Sequence, residues 1–210
     1  MKKILFGLLA TSAITIISCN NSSTKNEPAK QDMNNTNPDS SQPTTPADGK
    51  EVKAVAITYT NVDTKSAASI KEIVDHYLQV KNALTNDNGS EAVSGAKAMA
   101  VAINKLDKSL LSADQKKVYD GIEDDLKEHA EHVGKNGDNI KHQRDHFSMM
   151  GEDVYDLVKA FGGGRPLYHD HCPMYNENKG AMWLSEQKEV KNPYFGASMP
   201  TCGSVEEVIK

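Results

Sequence analysis

The chain has no Cys-x-x-Cys, no Gly-x-Ser-x-Gly and no glycine-rich loop placed after a strand. The first absence removes the usual thiol–disulfide enzymes. The second removes a nucleophile elbow, and the third a phosphate cradle. The run Gly162-Gly163-Gly164-Arg165 follows a helical pattern and reads as its terminator. Positive charge is in short supply, with 24 Lys and Arg against 29 Asp and Glu. Without residues 1–18 the balance is 22 against 29, a net charge of −7. An acidic domain of this kind excludes nucleic acid as the expected partner. Cys172 beside His171 is no catalytic dyad by adjacency alone, because no third group orients it. The chain is therefore expected not to be an enzyme.

Long apolar runs are also missing. Residues 4–17 form a short apolar stretch behind Lys2 and Lys3, too short for a spanning helix and ending in small residues. Ile16-Ile17-Ser18-Cys19 resembles the lipobox of bacterial lipoproteins. That resemblance implies a signal peptide over 1–18, acylation of Cys19, and a lipid bilayer as one partner. Each buried methylene of the acyl chains would contribute about 0.8 kcal/mol to anchoring. Residues 20–50 are rich in Asn, Ser, Thr and Pro and hold little to bury. They read as a disordered tether with a reach of roughly 30 Å. No acidic run follows Cys19, so the anchor is expected to face the periplasm.

Residues 51–65 alternate enough, through Val55, Ile57 and Tyr59, for a short strand or extended lead-in. From residue 66 to about 161 the apolar residues recur at helical spacing. Ile70, Ile73, Val74, Tyr77, Lys81 and Leu84 form one stripe. After a break at residues 86–89, Ser90 can cap a second helix carrying Val93, Ala96, Ala100, Ile103, Leu106 and Leu110. Ser112 and Gln115 form a capping-box pattern for a third, with Val118, Ile122, Leu126, His129 and Val133. Asp138 can cap a fourth, with Ile140, Phe147, Met150, Val154, Leu157, Val158 and Phe161. The expected fold is mainly α: an antiparallel four-helix bundle with an irregular C-terminal tail packed on it, together forming one domain over 66–210.

The tail carries the chemistry. Cys172 lies close to Met174, Met199 lies close to Cys202, and His169 and His171 add imidazoles. Thiolate, thioether and imidazole form the soft set that selects Cu(I) and related ions, silver or zinc being the other candidates. With Cys19 acylated, Cys172 and Cys202 are equally the partners for one disulfide in an oxidising compartment. A second group is built from His129, His132, His142 and His146. The two pairs lie at similar distances from the turn near Asn136 and so should sit at the same height in an antiparallel hairpin. His142 and His146 are one helical turn apart, the spacing that offers two imidazoles to one ion, with Cu(II) or zinc as the natural occupant. Met182 and Trp183 read as packing residues, and Asp153 and Asp156 as solvent-facing.

Four tail segments carry a second resemblance: His171-Cys172-Pro173-Met174, Gly180-Ala181-Met182-Trp183-Leu184-Ser185, Asn192-Pro193-Tyr194-Phe195-Gly196 and Met199-Pro200-Thr201-Cys202-Gly203. With His142-Gln143-Arg144-Asp145-His146-Phe147 they resemble a domain-of-unknown-function family of small exported proteins. The same family occurs attached to periplasmic adaptor subunits of copper/silver efflux pumps. The likeness implies a heavy-metal-binding, mainly helical module with a pump adaptor as its partner. Two functions follow as expectations. One is a periplasmic lipoprotein handling copper through Cys172, Met174, Met199, Cys202, His169, His171, His142 and His146. The other is a disulfide-clamped helical interaction module.

Overall fold

The computed structural model describes residues 52–210; the signal, Cys19 and the tether lie outside the described residues. The protein is mainly helical, as expected, and also carries a four-stranded sheet. Helix α1 spans Thr64–Thr85 and starts where the Asp63 carboxylate accepts the N–H groups of Lys65 and Ser66, at 2.8 and 3.3 Å. Helix α2 spans Gly89–Lys105 and is capped by Asn88 rather than Ser90. Its chain turns extended at Leu106, so Leu110 falls in a short 3-10 turn and is exposed instead of inward-facing. The capping box of Ser112 and Gln115 is present in both directions.

The third expected helix is two. Helix α3 covers Ala113–Asp120 and α4 covers Glu123–Lys135, with the helical register lost at Gly121 and Ile122. Glycine is a weak helix former, and Ile122, at φ −123°, leaves the helical region there. Helix α5 spans Ile140–Phe161 and is capped by Asn139, one residue beyond Asp138. It stops at Gly162, whose φ of 81° suits glycine. Helix α2 packs between α1 and α4, α4 packs on α5, and α5 returns to α1. The expected stripes supply this core, with Ile70, Ile73, Val74, Tyr77, Leu126, Val133, Phe147, Met150 and Val154 all fully buried.

The tail is not irregular. Strands β2 (Leu167–Cys172), β3 (Ala181–Ser185) and β4 (Ser204–Ile209) join β1 (Lys53–Val55) in the order β1-β4-β2-β3. Strand β1 runs parallel to β4, whereas β4 and β3 pair antiparallel with β2. A bulge interrupts β2 at His169 and Asp170. The lead-in is extended as expected and continues onto α5, where Thr58 and Tyr59 donate to the Lys159 and Ala160 carbonyls. Strand β3 lies on α5, and the approach is close at Gly151. A methyl group there would sit 2.9 Å from the Met182 carbonyl oxygen, so no larger residue fits without displacing the strand.

Two buried polar groups join helices to sheet. Lys81 lies within the α1 stripe with no exposed surface, and its ammonium sits 2.9 Å from Glu186, just beyond β3. Asp170 on β2 is equally buried. Among the described residues neither of its oxygens has a hydrogen-bond partner, nor does the indole N–H of Trp183 opposite. Burial pushes the Asp170 carboxyl up to about 8, against the opposing pull of Lys81 and Trp183. An unfolded aspartate ionises near about 3.9. Between those values the folded chain holds a proton that the unfolded chain has lost, so this group's contribution to stability falls as pH rises. Asp170→Asn is expected to flatten the decline in urea midpoint between about pH 5 and 8. An identical slope in the variant would assign the dependence to other groups.

Candidate metal centre

The spacing of the helical histidines becomes geometry where α4 meets α5. One ligand nitrogen from each of His132, His142 and His146 lies within 4.8 Å of the other two. His132 Nδ1 is 3.4 Å from His142 Nε2, and His129 Nδ1 is 3.2 Å from His146 Nδ1. All four rings are half-buried. A tetrahedral ion with bonds of about 2.0–2.1 Å holds its ligand nitrogens about 3.3 Å apart. The two closest contacts match that separation, and the trio as a whole is within reach of it. The His132 and His146 rings are stacked, with centroids 4.0 Å apart and planes 11° from parallel. Lone pairs of imidazole lie in the ring plane, so binding one ion requires one of these two rings to rotate.

The residues between the histidines are spent on holding the helices. Gln143 is fully buried and donates to the Gly89 and Val133 carbonyls, 3.0 and 3.2 Å away. Arg144 donates to the Leu84 and Pro193 carbonyls and to the Asp87 carboxylate. Asp145 accepts from the Tyr175 hydroxyl at 2.8 Å and from Lys141 at 2.9 Å. Leu84 and Val133 lie in the last turns of α1 and α4, whose carbonyls have no partner inside the helix. The run from His142 to Phe147 thus alternates imidazoles with residues that fix where those imidazoles stand.

Two of the rings, His129 and His146, are shifted toward the neutral form. Burial, reinforced by His132, His142 and His129, lowers the His146 pKa to about 4. Burial also lowers His129, against the opposing pull of Glu128 and Asp125. A neutral imidazole has a free lone pair, the form that binds metal. Asp153, read from the sequence as solvent-facing, is half-buried on α5. Its carboxyl is pushed up to about 7 by burial and by Asp125 and Glu152. Asp156 is exposed as expected.

The tail residues are arranged differently. Cys172 ends β2, fully buried, and its sulfur lies 3.1 Å from that of half-buried Cys202. Among the described residues no His, Asp or Glu ligand atom joins this pair in a common cluster. His169 and His171 face β4 instead, 3.8 Å from Glu207 and 3.4 Å from Glu206. Met174 is 49% exposed and lines a cavity of about 700 Å³ with Asp145, Met149 and Tyr175, a space Cys172 does not line. Met199 is half-buried in the turn before Cys202, whose N–H donates to its carbonyl. Trp183 is a packing residue, fully buried as expected.

Residues 73–165 match the family described as "Protein of unknown function (DUF3347)". The match takes in most of α1, all of α2 to α5, and the four histidines; β2, β3 and β4 lie outside it. No curated protein and no solved structure matches the chain. The sequence reasoning missed the buried Lys81–Glu186 pair and the buried carboxyl of Asp170. Lys81 in an apolar stripe was the one signal for either. A histidine-resolved NMR titration is expected to leave the His146 ring neutral from pH 8 down to about 5. Protonation of His146 near about 6.5, the value of an unperturbed ring, would show the cluster to be solvated and open.

Proposed function

We propose that this protein is a membrane-anchored, periplasm-facing lipoprotein that binds a copper ion through His132, His142 and His146. The observation that carries the reading is the trio itself: three imidazole nitrogens from two helices, mutually within 4.8 Å. Imidazole suits copper, zinc, nickel and iron, and among divalent ions of the first row copper binds nitrogen sites most tightly. A neutral His146 ring favours loading, since no proton has to be displaced from it. The trio, rather than the sulfur-bearing tail, is the primary site on this reading. The tail thiols would hold Cu(I) in a second, reduced state.

The rest of the proposal follows the sequence. Acylation at Cys19 and the tether over 20–50 would hold the metal domain close to a bilayer. Among the described residues no helix is long and apolar enough to cross one. The resemblance to domains attached to copper/silver pump adaptors supports such an adaptor as the partner that exchanges metal with the site. We take α1, α2, α4 and α5 as an antiparallel bundle. His129 meets His146 while His132 meets His142, so numbering rises along α4 as it falls along α5.

Competition between the purified protein and a chromogenic chelator tests the reading, with Cu(II) and Zn(II) measured in parallel. One ion per chain is expected, held more tightly for copper. His142→Ala with His146→Ala should weaken binding by more than about a hundredfold, because losing even an outer-shell partner costs 10–100-fold. Cys172→Ser is expected to leave Cu(II) affinity unchanged. Full affinity in the double histidine variant would remove the trio from the function.

A further inference from the structure

The histidine site makes no use of Cys172 and Cys202, yet the fold goes to some length to bring them together. Asn192 has no exposed surface and all of its polar groups are engaged. Its amide nitrogen donates to the Cys202 carbonyl at 2.6 Å, and its side-chain oxygen accepts from the N–H groups of Tyr194 and Phe195. Its own N–H donates to the Pro200 carbonyl at 2.8 Å. One buried side chain therefore holds both ends of the loop that carries Cys202. Directly after it, Gly203 has a φ of +135°, and a methyl group there would lie 2.8 Å from the His171 carbonyl oxygen. The chain leaving Cys202 is thus pressed against β2 beside Cys172, and Ser204 takes up pairing with His171 at once. The sulfurs stand 3.1 Å apart, and among the described residues no His, Asp or Glu ligand atom joins them. Such a pair, fixed in position, is placed to close a covalent bond when oxidised.

We infer that Cys172 and Cys202 are the substrate of a dithiol-oxidising protein and that the exported chain carries them as a disulfide. Exposure sets the order of events. Cys202 is partly exposed, so its thiol loses a proton and the thiolate attacks a disulfide of the oxidant, displacing one of the oxidant's sulfurs as a thiolate. Cys172 has no exposed surface and acts second. It loses its proton and attacks the Cys202 sulfur, closing the bond and releasing the oxidant as a dithiol. Two electrons and two protons pass to the oxidant in all. The new bond would tie the end of β2 to the start of β4 across 30 residues. This inference goes beyond metal binding and holds with or without an ion at the histidines, but in the cell it rests on export.

Cells expressing the full chain are quenched in acid, denatured and treated with a mass-tagged maleimide, before and after reductant. The expected result for the signal-processed protein is no tag on Cys172 or Cys202 until reductant is added, then one tag on each. Both thiols tagged without reductant in processed protein would overturn the inference. Unprocessed protein with free thiols would instead count against export, and a purified arm then decides. Reduced protein treated with oxidised glutathione should lose both thiols and retain no glutathione, while Cys172→Ser should trap glutathione on Cys202. A stable glutathione adduct on the unmutated chain would overturn the inference. Reduction of the closed form should lower Tm by about 10 °C and leave Cu(II) stoichiometry unchanged, which separates this result from the histidine reading.

Discussion

Gly151 sets how near α5 lies to the sheet. With a methyl group there placed 2.9 Å from the Met182 carbonyl, the helix and β3 are in backbone contact, and both are fixed relative to the core. From that position α5 serves three neighbours. Phe147, Met150 and Val154 fill the centre, Arg144 reaches the end of α1 and the loop at Pro193, and His142 and His146 meet α4. Separations of 3.2 to 3.4 Å between imidazoles mean little on a loose hairpin. They mean more on a helix whose other faces are packed against a rigid surface, since preorganised ligands lose less freedom when an ion enters.

The polar groups divide into those that are spent and those that are not. Gln143, Arg144 and Asp145 use their capacity on carbonyls, a carboxylate and a hydroxyl, and so act as structural ties. The imidazoles turn mostly to one another. A neutral ring has one N–H and one lone pair, so the two short contacts can be N–H···N bonds without metal. They become ligand pairs once rings rotate and tautomers change. Burial and the neighbouring rings together hold His146 toward its uncharged form.

Periodicity exposed the helices well. The stripes from Ile70 to Leu84 and from Phe147 to Phe161 are the buried faces, and the Ser112–Gln115 capping box forms as written. Similar distances from the turn at Asn136 were enough to bring the histidines of α4 and α5 together. The sheet was hidden because β2 reads Leu-Tyr-His-Asp-His-Cys, a run whose polar residues mask a strand buried along most of its length. It becomes a strand by pairing with β3 and β4, and no local window contains both partners. Lys81 illustrates the same limit: its place in the stripe was legible, but the partner that stabilises it, Glu186, lies more than a hundred residues away. The tail motifs were read as ligands, whereas the strands direct His169 and His171 to glutamates of β4.

If nitrogen rather than sulfur holds Cu(II), as proposed, X-ray absorption at the copper edge reports it. Protein loaded with one equivalent of Cu(II) is expected to show a nitrogen shell near about 2.0 Å with the outer-shell scattering of imidazole rings. A first shell containing sulfur at about 2.3 Å would instead move the Cu(II) site to Cys172 and Cys202.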